Sequence, residues 1–133
     1  MKQITIRLKQ NQCLKEEIEK IAKDKDINAG ALLSVVGNLE NAKLRMPGSE
    51  PDNQIVREWD GPFEIVGSTG TVSKSGCHIH IAISDKEGNV TGGHLKDGCR
   101  IKYTAEIVIG VFDDVIYKRE FDEKTGFNEL VVE

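Results

Sequence analysis

The 133-residue chain predicts an α+β protein: one main helix and a largely antiparallel, barrel-like β-sheet. Three observations lead there. A single segment has helical periodicity. Eight or more others either alternate apolar with polar residues or run apolar between glycines. Turn-forming residues separate these strands, as they do in antiparallel sheets and barrels. The length suits one domain, 1–133, around one core.

In order, "KQITIRL" (2–8) alternates and is rich in β-branched residues, so it predicts a strand. A helix follows over about 12–25, with Leu14, Ile18, Ile21, Ala22 and Lys25 at helical spacing and charged residues on the other face. "GALLSVVGNL" (30–39) is a continuous apolar run and predicts a buried strand. "NAKLRM" (41–46) is expected to pair with it through a tight turn at Gly37–Asn38. "PGSEPDN" (47–53) reads as an exposed loop and "QIVREW" (54–59) as a strand that ends before a break at Gly61–Pro62. "FEIVGSTGTVSKSG" (63–76) is a strand with internal glycines, which mark bulges or close backbone approaches. Strands follow at 77–84, 89–95, 99–112 (with a bend at Gly110), 115–121 and 127–133.

Composition narrows the function classes. Hydrophobic residues make up 38% and charged residues 30%, as in a soluble globular chain. No apolar run reaches the roughly 18 residues that span a bilayer, and "MKQITIRLKQ" lacks a signal-peptide core. The expected compartment is the cytoplasm. Cys13, Cys77 and Cys99 are odd in number and form no CxxC pair, which argues for reduced thiols rather than a disulfide framework or thiolate zinc site. The net charge of −4 argues against a basic nucleic-acid-binding face.

All three histidines lie in "CHIHIAISDKEGNVTGGHL" (77–95). In a strand alternate residues share a face, so His78 and His80 point the same way, with Cα atoms roughly 6–7 Å apart. Cys77, Ile79, Ile81 and Ile83 point to the core. "DKEGN" (85–89) predicts a three-residue hairpin loop with Gly88 in the left-handed region. Counting back from Asp85–Asn89, Ser84 meets Val90, Ala82 meets Gly92, and His80 meets His94. Opposed residues share a face with Cβ atoms about 5 Å apart, so the three imidazoles converge unless Gly92–Gly93 forms a bulge. Three neutral imidazoles suit a divalent transition metal, zinc above all. Glu64, Asp85 and Glu106 are candidates to orient the rings through their second nitrogens. The other reading is a hydrogen-bonded cluster in a polar groove or at a subunit contact. "GSTGT" (67–71) lacks the lysine and spacing of a phosphate-binding loop.

"AGALLSVVGNLENAKL", "GPFEIVGSTGTV", the histidine hairpin and "TAEIVI" together resemble the PPC domain of plants and prokaryotes, over about residues 3–112. The resemblance implies a mainly antiparallel α/β fold assembled as a homotrimer. In plants the domain follows an AT-hook, a short Arg-Gly-Arg-Pro segment that enters the DNA minor groove. The chain has no such segment before Ile4, so it resembles the stand-alone prokaryotic type, labelled DNA-binding by association. It also has Pro62 where the plant pattern has arginine. Histidines matching His78, His80 and His94 suggest metal binding in prokaryotic relatives, and no established reaction comes with the family. Two functions follow as expectations. One is a trimeric binding or regulatory module associated with DNA. The other is a zinc-dependent enzyme for a small molecule, with zinc-bound water as nucleophile and Glu64 or Glu106 as general base. No clear acid–base pair accompanies the histidines, which favours the module.

Overall fold

The computed structural model describes residues 1–133. The alternating segments form β1 (Lys2–Lys9), β2 (Gly30–Arg45), β3 (Val56–Val72), β4 (His78–Ser84), β5 (Val90–Leu95), β6 (Ile101–Val111), β7 (Tyr117–Phe121) and β8 (Asn128–Val132). The periodic segment forms α1 (Leu14–Asp24). Six strands make one antiparallel sheet in the order β1-β6-β2-β3-β4-β5. The end of β2 also pairs with β5, through Leu44–Leu95 and Arg45–His94. This closes β2, β3, β4 and β5 into a ring of four strands. β7 and β8 form a separate two-stranded sheet.

The apolar faces meet in one core. Ile79, Ile81 and Ile83 of β4 are buried, as are Leu39 and Leu44 of β2, Leu95 of β5, and Ile101, Ile107 and Ile109 of β6. α1 seals this core with Leu14, Ile18 and Ala22, while Lys20, Lys23 and Asp24 stay in solvent. Cys99 lies in the same core, and burial pushes its thiol up to about 11. Cys13 and Cys77 are half-buried, and all three thiols are free.

Two expected interruptions are absent, for one physical reason. The tight turn expected at Gly37–Asn38 does not form; β2 runs through it for 16 residues. Gly37 pairs with Ile65 on one side and Ala105 on the other. A Cβ there would stand 2.1 Å from the Thr104 carbonyl oxygen, so the glycine serves close strand approach. Asn38 Oδ1 accepts the N–H groups of Tyr103 and Thr104 at 2.8 and 3.3 Å, bridging a shift in the β2–β6 register. The break expected at Gly61–Pro62 is likewise a register shift inside one strand of 17 residues. A Cβ on Gly61 would lie 2.6 Å from the Glu40 carbonyl oxygen, and Pro62, which has no N–H, sits with Gly61 where two residues of β3 oppose the single Glu40 of β2. The strand expected over 63–76 stops at Val72. Gly110 interrupts nothing: it pairs with Gln3 and Ala31 within β6.

Candidate metal centre

The site is built by a hairpin. Asp85 N–H donates to the Asn89 carbonyl at 2.9 Å, Gly88 N–H donates to the Asp85 carbonyl at 3.0 Å, and Gly88 has φ +84°. This sets the β4–β5 register: Ser84 faces Val90, Ala82 faces Gly92 and His80 faces His94, with no bulge at Gly92–Gly93. The two glycines are instead needed for packing. A Cβ on Gly92 would meet the Ile81 carbonyl oxygen at 2.5 Å, and one on Gly93 would meet Met46 Cε at 2.7 Å and the Arg45 carbonyl oxygen at 2.8 Å. Small residues here let β5 touch both β4 and β2.

The three imidazoles converge. His78 Nε2 and His80 Nε2 are 3.2 Å apart. Ring centroids are 4.9 Å apart for His78–His80, 4.8 Å for His78–His94 and 5.6 Å for His80–His94. One ligating nitrogen from each ring lies within 4.8 Å of the other two. Burial, then the Arg45 guanidinium, holds His94 far below the ordinary imidazole value, at about 3. Burial, then His80 and Arg119, also lowers His78. Both rings are therefore neutral at pH 7, the form that binds metals.

The carboxylates expected to orient these rings lie elsewhere. Asp85 Oδ1 accepts the N–H groups of Glu87 and Asn89, each at 2.9 Å, which holds its carboxyl below the usual range and commits it to the turn. Glu64 pairs with Ser84, at the opposite end of β4 from His78. Glu106 lies on β6 between Arg7 and Val36. Cations take their place, and the sequence reading missed them. Arg45, opposite His94 on β2, sets Nη2 3.3 Å from His94 Nδ1. Its guanidinium also lies 4.9 Å from the ring centroid of Phe127. Arg119 of β7 donates from Nη2 to Thr71 Oγ1 at 2.7 Å, and Thr71 pairs with His78. Ser75 Oγ accepts the Arg119 backbone N–H at 2.9 Å, fixing β7 beside the cluster. Arg45, Ser75, Arg119 and Phe127 wall a cleft of about 640 Å³ that includes all three histidines, Lys96 and Glu129.

A four-strand antiparallel ring with a histidine hairpin and one sealing helix defines the class, and comparison with known proteins supplies the family. The family model of the Plants and Prokaryotes Conserved domain matches residues 1–113. The chain belongs to this family. It is similar to the bifunctional protein GlmU of Synechococcus sp. (strain JA-3-3Ab), with 37% identity over 128 residues, which cover 96% of this chain. The match spans a fifth of that relative's length. A hypothetical protein from Salmonella enterica shares the structure at a TM-score of 0.91 and 27% identity, covering 99% of this chain and 93% of that one. A metal-containing protein from Archaeoglobus fulgidus shares it at 0.83 and 29%, covering 98% and 94%. A Bacteroides thetaiotaomicron protein described as a putative DNA-binding protein has the same fold at a TM-score of 0.86 and 18% identity, covering 97% and 91%.

Proposed function

We propose that this chain is a metal-binding member of its family, one domain over 1–133, which holds a divalent transition metal, zinc, on His78, His80 and His94. The 3.2 Å separation of two ring nitrogens carries this reading. Nitrogens bound to one tetrahedral zinc at about 2.0–2.1 Å stand about 3.3–3.4 Å apart. His78 and His80 meet that spacing without moving. The third nitrogen lies within 4.8 Å and reaches it by a shift of about 1.5 Å or less. Three protein ligands leave a fourth position for water or a small molecule, the arrangement of open zinc sites. The metal-containing relative of Archaeoglobus supports the reading. The test is elemental analysis of protein purified without a histidine tag, followed by zinc titration. One zinc per chain, lost in His80→Ala, is expected. Wild-type protein that takes up no zinc, or a His80→Ala protein that binds it as well, refutes the assignment.

The cleft beside the histidines favours a small-molecule ligand, and with it the second reading, a zinc-dependent enzyme. The binding module is preferred because Glu64 and Glu106, the expected bases, lie off the cluster. The module is a homotrimer in this proposal. Leu33, Val36 and Val66, each more than half exposed on the adjacent strands β2 and β3, support an assembly through that face. Three free thiols support residence in the cytoplasm. Association with DNA runs through a partner in this proposal, because the net charge of −4 gives the chain little hold on phosphates.

A further inference from the structure

None of the eight ion pairs in the chain involves Arg45, Lys96 or Arg119. All three are partly buried on the wall of one cleft. Of the two carboxylates that also line it, Glu19 is held by Lys15 at 2.7 Å, leaving Glu129 against three cations. Arginines withdrawn from water without a carboxylate are unusual, because the loss of hydration is uncompensated. Both guanidiniums are nonetheless positioned: Arg119 by Thr71, and Arg45 by the Phe127 face and His94.

Metal occupancy changes what Arg45 faces. A guanidinium only donates, so the 3.3 Å contact makes His94 Nδ1 an acceptor. A ring that ligates through Nε2 carries its proton on Nδ1, and two donors would then oppose each other. A ring that ligates through Nδ1 has no lone pair left for Arg45. Either way the contact with His94 would be lost if the site held a metal, and the Arg45 fork, which already lines the cleft, would be left without that partner.

We infer that the cleft binds a small-molecule oxyanion, a carboxylate or a phosphate group, gripped by Arg119 and by the Arg45 released from His94. The Arg45 half rests on the metal reading; the Arg119 half does not. An arginine fork matches either oxyanion with two parallel hydrogen bonds. Arg119 and Phe127 lie beyond the 1–113 matched by the family model, so the C-terminal hairpin supplies half of this grip.

The test is calorimetric titration of zinc-loaded and metal-free protein with inorganic phosphate and, separately, with lactate. Binding of at least one anion is expected, tighter in the zinc-loaded form. Binding of lactate alone identifies a carboxylate site and binding of phosphate alone a phosphate site. Arg119→Gln should weaken it by about tenfold or more, the loss of a charged hydrogen bond. Its zinc affinity, measured by chelator competition, should stay within about threefold, well under the tenfold worth of 1.4 kcal/mol. Arg119→Lys, which keeps the charge but loses the fork, should fall between them. If the protein takes no zinc but binds an anion through Arg119, the oxyanion site stands and the metal reading fails. If neither form binds either anion, or if both Arg119 variants bind like wild type, the oxyanion site is refuted.

Discussion

At the scale of single residues, the chemistry turns on imidazoles held neutral by their surroundings. His94 is kept at about 3 by burial first and Arg45 second, against roughly 6.5 for an unfolded histidine. A lowered folded value means that the unfolded chain binds more protons between the two. The contribution to stability is therefore complete above about pH 6.5 and declines as pH falls toward 3. The expected outcome is a metal-free melting temperature that drops as pH is lowered below about 6.5, with a weaker drop in His94→Asn. Equal pH slopes for both proteins in thermal denaturation would contradict it. For metal binding, the same shift means that protons compete poorly at His94 near neutrality, so its loss of zinc begins below the 6.5 of a free imidazole. His80→Ala should weaken zinc binding more than Glu64→Gln, Asp85→Asn or Glu106→Gln, because it removes a ligand whereas none of the three carboxylates touches a ring. Chelator competition on the four variants ranks them directly.

At the scale of elements, the hairpin and its two glycines set the site. Gly93→Ala puts a methyl group within 2.8 Å of the Arg45 carbonyl oxygen, in a place where backbone cannot yield cheaply. The β2–β5 pairing should open, moving His94 on β5 out of its place beside His78 and His80. Loss of about 1–3 kcal/mol is the expected cost of such overpacking, with zinc affinity falling too. Chemical denaturation and zinc titration of Gly93→Ala check both, and a variant as stable as wild type would exclude this role. The same elements show what sequence can reveal. Loop type and strand period place His80 opposite His94 because those rules are local: Gly88 demands one turn, and the turn fixes the register. Gly37 and Gly61 mislead because a glycine's local signal is identical whether it turns the chain or admits a neighbouring strand. Only the tertiary contact distinguishes them. The roles of Arg45 and Arg119 are not legible in sequence for a related reason, since their partners lie 49 and 48 residues away along the chain.

At the scale of the whole molecule, charge and exposed apolar surface decide partners. With 22 acidic against 18 basic residues, the net charge opposes long-range attraction to DNA, and Arg45, Lys96 and Arg119, none of them in an ion pair, line a cleft around the histidines. Gel shifts at physiological salt should give no sequence-selective binding tighter than about 1 μM, whereas specific DNA binders typically reach about 10⁻⁸ M or better. Assembly is a separate matter. Leu33 is 52% exposed, Val36 56% and Val66 55%. β2 and β3 are the middle strands of the sheet, where outward apolar residues gain nothing in a monomer. Covering them with a second and a third copy removes that surface from water at roughly 25 cal/mol per Å². Light scattering should therefore give three times the 14.7 kDa chain mass at micromolar concentration. Val36→Glu together with Val66→Glu should return the monomer mass, because unpaired carboxylates at a buried contact are strongly disfavoured. Those positions lie outside the cleft, so the monomeric variant should still bind zinc. A wild-type chain that scatters as a monomer would refute the trimer and leave the metal site untouched.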